Sequence, residues 1–138
     1  MTIGAGLRAF LLADSDISTA VGGSRIYPVQ LPQGTKLLSI RYTHISGQRV
    51  VSSTRDLGLS GPRIQIDAWG PSYDGVVSLA DLILARLSAY QGVLKDESPS
   101  DKVAQGIFFE SERDGYEPEA KLYFFSRDYF VWFEDALA

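Results

Sequence analysis

The chain contains no cysteine, one histidine and one methionine. Without cysteine there are no disulfides, thiolate metal sites or cysteine nucleophiles, and no clue to redox compartment. His44 stands alone, so a transition-metal site would need several carboxylates around it; the residue reads either as a ligand or as a structural or surface histidine. Long apolar runs are missing too: none approaches the roughly 20 residues of a membrane-spanning helix. Positive charge is in deficit. With 13 Lys and Arg against 17 Asp and Glu, the formal net charge is -4, which argues against a phosphate-gripping surface, because nucleic-acid affinity comes largely from clustered cations. Residues 1–16 lack the charged start and cleavage site of a secretory signal, their apolar residues being spaced rather than continuous, and the chain is expected to be mature from Met1.

What is present is an ordinary globular composition, 45% hydrophobic and 22% charged over 138 residues, enough for one domain with a real core. Ile3, Leu7, Phe10 and Leu11 recur at helical spacing, predicting an amphipathic helix over 2–13. Asp14 or Asp16 then caps a short turn that Gly22 and Gly23 end. Residues 25–28 read as a short strand at a sheet edge, since the run closes on Pro28. Strict alternation predicts strands over 37–45 and 63–69, separated by a long polar loop at 46–62. Pro71 and Ser72 open a strongly apolar helix over 72–89, and 95–102 is a solvated loop. Two strands close the chain, about 105–113 and 121–133. The order predicts a single-domain α+β fold: an antiparallel sheet of about four to five strands with two main helices packed on one face.

The last strand is unusual. Leu122, Phe124, Phe130 and Trp132 point one way; Tyr123, Phe125, Tyr129, Val131 and Phe133 point the other, so both faces are apolar. With helices on only one face, the rings on the other are expected to be covered from outside the chain.

The chemistry-bearing patterns are weak. The turn Trp69-Gly70-Pro71-Ser72 has neither the glycines and lysine of a phosphate loop nor the setting of a nucleophilic serine, and Pro71 removes an amide that a phosphate would use. It reads as a corner. Glu110, Glu112 and Asp114 share one strand parity, which leaves two readings: a solvated face with Arg113 and Arg127 as cross-strand partners, or, with Asp67, a magnesium site of a carboxylate-dependent hydrolase. The 46–62 loop, with Arg49, Arg55 and Asp56, is either a plain connection or a segment that orders against a partner.

Taken together, residues 21–28 (Val-Gly-Gly-Ser-Arg-Ile-Tyr-Pro), the strand Arg63-x-Gln65-Ile66-Asp67-x-Trp69 with its helix, and Tyr116-Glu117-Pro118-Glu119 before the last strand resemble the tail-completion or tail-terminator proteins of long-tailed bacteriophages, prophages and gene transfer agents. The resemblance spans nearly the whole of 1–138. It departs at Leu37-Leu38, where relatives often have proline, and at Ala120, where they have a more turn-like residue. It implies a structural, non-enzymatic virion protein without cofactor, made in the bacterial cytoplasm and placed at the head-proximal end of the tail. It also implies a homo-oligomeric ring, hexameric in relatives, that caps the tail tube, ends its polymerisation and meets the head connector or neck protein, with DNA only passing through and no membrane involved. A head-side neck or head-completion protein is the alternative. Arg49, Arg55, Asp56, Glu110, Glu112, Asp114, Phe125 and Trp132 are the interface residues expected on this reading.

Overall fold

The computed structural model describes residues 3–47, 49–51, 56–88, 90–94 and 102–134. Helix α1 (Ile3–Leu12) and the short α2 (Ser15–Ala20) lead into β1 (Ile26–Pro28), β2 (Ser39–Ser46), β3 (Arg49–Val51), β4 (Asp56–Ser60) and β5 (Arg63–Gly70). Helix α3 (Tyr73–Leu87), β6 (Gly92–Leu94), β7 (Lys102–Glu117) and β8 (Leu122–Glu134) follow. Local chemistry sets the boundaries. The Asp14 carboxylate accepts from the Asp16 and Ile17 amides and so starts α2, while Gly22 and Gly23, at φ of 61° and 83°, supply the left-handed backbone that ends it. Ser72 caps α3 by accepting from the Gly75 amide. The turn at residues 70–72 is thus a corner, as its sequence suggests.

All eight strands belong to one sheet. Its centre is β8, whose one edge carries β7 along almost its full length. Its other edge carries β5 opposite residues 123–130 and then passes to β4 opposite residues 133 and 134. Beyond β5 come β2 and β1, and β6 covers only residues 102–104 of β7.

The sheet is mixed rather than antiparallel, because β1 runs parallel to β2. Residues 29–38 carry the chain back to the same end before β2 begins, and strand direction is a property of that path rather than of the strand residues. The expected 46–62 loop also contains β3 and β4, which pair with each other beyond the β2–β5 ladder. Their apolar stretches, Val50-Val51 and Leu57-Gly58-Leu59, are too short to show alternation. β6 was not expected at all, and the 95–102 loop lies outside the described residues except for Lys102, which opens β7.

Register fixes which side chains share a face. Ile40, Ile64, Ile66, Ala68, Tyr129, Val131 and Phe133 form one core with Ile3, Leu7, Phe10 and Leu11 of α1, Ile17 of α2, and Val76, Leu79, Ala80, Ile83 and Leu87 of α3. Burying each of the Val, Leu, Ile and Phe side chains among these stabilises the fold by about 1.5–3 kcal/mol before entropy is counted. Arg86 ties α3 to α1, donating to the Phe10 carbonyl at 3.1 Å with its guanidinium 3.9 Å from the Phe10 ring centre.

Candidate functional site

The face of the sheet away from this core is built from the alternate residues. Asp67 in β5 is completely buried there. Opposite it in β2, Arg41 donates from Nε to Asp67 Oδ2 at 2.7 Å, and Gln65 Nε2 donates to Oδ1 at 2.8 Å. Arg113 continues the chain by donating to Gln65 Oε1 at 2.8 Å. A second pair lies alongside: Arg63 Nε donates to Asp128 Oδ2 at 2.9 Å, and its terminal nitrogen to Ser111 Oγ at 3.2 Å. Arg41 and Arg63 also sit 5.2 and 6.0 Å from the ring centres of Trp69 and Phe130. The arginine stems and rings therefore roof the two carboxylates, and charge-assisted bonds reach Asp67 and Oδ2 of Asp128. Asp67 already accepts at both oxygens, which leaves it ill placed to hold a metal.

On the core side one arginine plays a comparable part. Arg127, buried, donates to Glu112 Oε2 at 2.8 Å, to the Ala80 carbonyl at 2.8 Å and to Asp81 Oδ1 at 3.0 Å, with Phe125 under its guanidinium at 4.7 Å. It pins α3 to β7 and β8. Next to it, burial pushes the Tyr129 phenol far above its ordinary pKa, against the opposing charge of Arg127. Its hydroxyl, Asp128 Oδ1 and Trp69 Nε1 are buried without hydrogen-bond partners among the described residues.

The apolar side chains of β8 are packed within the subunit to differing degrees. Tyr129, Val131 and Phe133 lie in the core, and Phe124, Phe125, Phe130 and Trp132 are half-buried. Trp132 packs on the 61–62 bend: a Cβ on Gly61 would come within 2.6 Å of its ring, so glycine is what lets it approach. The neighbouring β7 carries the exposed rings instead, with Phe108, Phe109 and Tyr116 at 51%, 45% and 48% exposure. Tyr116 joins Tyr123 and Tyr73 in an aromatic cluster near the start of α3. There the Tyr73 hydroxyl donates to Asp114, and this bond, ahead of the local charges, raises the phenol's pKa.

The expected interface residues fall into three groups. Arg55 lies outside the described residues, and Arg49 and Asp56 are placed only as backbone in β3 and β4. Glu110, Glu112 and Asp114 are exposed along β7, with Glu110 the extra residue of a bulge between Phe109 and Ser111. Phe125 and Trp132 are packed within the subunit. The carboxylate-dependent hydrolase is not assembled, because Asp67 pairs with Arg41 on one face while Glu112 pairs with Arg127 on the other. Among the described residues no three His, Asp or Glu side chains converge on a point. His44 is exposed at the end of β2. Among the described residues no helix is long and apolar enough to cross a membrane.

Two hollows remain. A cleft of about 600 Å³ opens between residues 30–36 and the β7–β8 turn, over Arg41, Trp69 and Leu122, and Lys36 closes one side by donating to the Ala120 carbonyl at 3.0 Å. A smaller one of about 160 Å³ lies between Ile3, Tyr42 and His44. Lys36, Arg41, Glu117 and Glu119 line the larger one, whereas the smaller is mostly apolar.

Sequence reading missed the exposed rings of β7. The signal was present in Gly106-Ile107-Phe108-Phe109-Glu110, where two adjacent rings cannot both face the core.

No curated protein matches the chain significantly in sequence. In fold it is similar to a chain of the virion of a native gene transfer agent particle, at a TM-score of 0.63 and 16% identity, with 96% of this chain and 94% of that one covered. The family model of the tail completion protein gp17 matches residues 5–134, nearly the full length, and the chain therefore belongs to that family of structural virion proteins.

Proposed function

We propose that this protein forms a homo-oligomeric ring, a hexamer, that caps the tail tube, ends its polymerisation and joins the tail to the head connector at the head-proximal end. The observation that carries the reading is the near full-length match to the tail completion family; the likeness in fold to a gene transfer agent virion chain supports it. The whole of 1–138 acts as one such domain, with α1 and α3 on one face of the sheet and the other face closed by its own ion pairs. No cofactor enters. Net charge of -4 suits a channel that DNA crosses without being held. The 46–62 segment or the Glu110–Glu119 region lines that channel or meets an axial neighbour.

Pull-down separates this from a head-side neck protein. Immobilised chain is expected to retain purified tail-tube protein as well as connector protein. Retention of portal or connector protein alone would move the chain to the head side.

A further inference from the structure

β7 is an edge strand for most of its length. β6 reaches only residues 102–104, and among the described residues no strand pairs with the outer edge of residues 105–117. Such an edge presents unpaired backbone donors and acceptors and is a template for another strand. Two bulges, at Gln105 and Glu110, divide it, so the unbroken ladder is the seven residues 111–117. The exposed rings Phe108, Phe109 and Tyr116 flank and end that stretch.

Three further outer edges exist among the described residues; that of β6 is the three uncharged residues Gly92-Val93-Leu94. β1 is three residues long and closes on Pro28, which has no amide to give. β3 ends the sheet beyond β4, and its sequence is Arg49-Val50-Val51, a cation followed by two β-branched residues suited to a ladder. Charge decides between pairings. Setting β7 against β7 of another copy brings together two stretches that each carry three acids, Glu112, Asp114 and Glu117, and one cation, Arg113, a like net charge that is unfavourable across a ladder. Setting β3 there brings an arginine to the acids instead.

We propose that the outer edge of β7, at residues 111–117, accepts β3 of a second copy of this chain, so that the sheet continues from one copy to the next. The contact joins unlike patches, and repeated with the right rotation it closes a ring. Closure rests on the function proposed above; the pairing itself rests on the two free edges and their charges.

The absence of native cysteine makes the test clean. A double variant, Arg49→Cys with Asp114→Cys, is expected to give under mild oxidation a covalent ladder ending at a closed ring, while Asp114→Cys alone stays monomeric on a denaturing gel. Dimers from Asp114→Cys alone would show β7 pairing with itself and overturn the proposal. So would a double variant that fails to cross-link although native mass spectrometry shows rings. A second pair guards against local damage: Arg49→Glu is expected to weaken assembly about tenfold, and Asp114→Lys to restore it in the double variant, with thermal melts unchanged; failure to restore counts against the pairing. If cross-linking fails yet the chain still arrests tube growth, the edge assignment falls and the proposed function stands. If both fail, both fall.

Discussion

The two faces of the sheet exclude water by different means. The core face does so with hydrocarbon that shares one buried cluster with side chains of α1, α2 and α3, and it admits a buried guanidinium, that of Arg127. The opposite face has ion pairs roofed by arginine stems and rings, with Asp67 and Asp128 almost wholly buried beneath them. Both arise from one alternating strand, Arg63-Ile64-Gln65-Ile66-Asp67-Ala68-Trp69, whose even residues enter the core and whose odd residues make the ladder. The difference teaches that an alternating strand with a polar side need not be wetted on that side. Its polar residues can bury one another when each carboxylate faces a guanidinium across the ladder.

The largest blow to the comparison falls on the core face. Leu79→Ala removes a side chain that is 1% exposed and is expected to cost about 2–5 kcal/mol, read as a lowered midpoint in chemical denaturation. On the opposite face, Asp67→Asn keeps the shape but removes the charge facing Arg41 and sets an amide donor or a neutral oxygen there. A loss of about 1.5–3 kcal/mol is expected, the range for a hydrogen bond to a charged group. An Asp67→Asn variant as stable as the parent would mean that the ladder is ornamental.

Titration separates the faces further. The Tyr129 phenol is held protonated by burial, its folded pKa lying above the ordinary value of 10.0. The stability it contributes is complete below the unfolded pKa and is lost as pH rises above about 10 toward the folded one. Thermal melts of the parent should therefore fall faster between pH 10 and 12 than those of Tyr129→Phe, and parallel curves would contradict this. Smallest in effect, Phe109→Ser and Tyr116→Ser on exposed β7 should change monomer stability by no more than about 0.5 kcal/mol, while light scattering shows weakened assembly.

How far the fold was legible follows the length of each pattern. α1, α3, β2, β5 and β8 have long periodic runs or clear caps, and the sequence places them within a few residues. β3, β4 and β6 are three to five residues long, too short for periodicity to register, and the parallel pairing of β1 depends on a connecting path that no strand residue encodes. For the rings of β8, alternation tells which side a ring faces but not what lies there. The opposite face is closed by Arg41, Arg63 and Arg113, three residues that look solvent-seeking in isolation. Only register shows Arg41 standing across from Asp67 and Arg63 reaching Asp128. For the same reason the acids of β7 were legible as a cluster, whereas the bulge at Glu110 and the bare edge beside it were not.

The most direct test of a tube-capping ring is the polymerisation of purified tail-tube protein with this chain titrated in, followed by tube lengths in negative-stain electron microscopy. The account predicts tubes that shorten as the chain is added and carry a ring at one end. Tubes of unchanged length and bare ends at every ratio would contradict it.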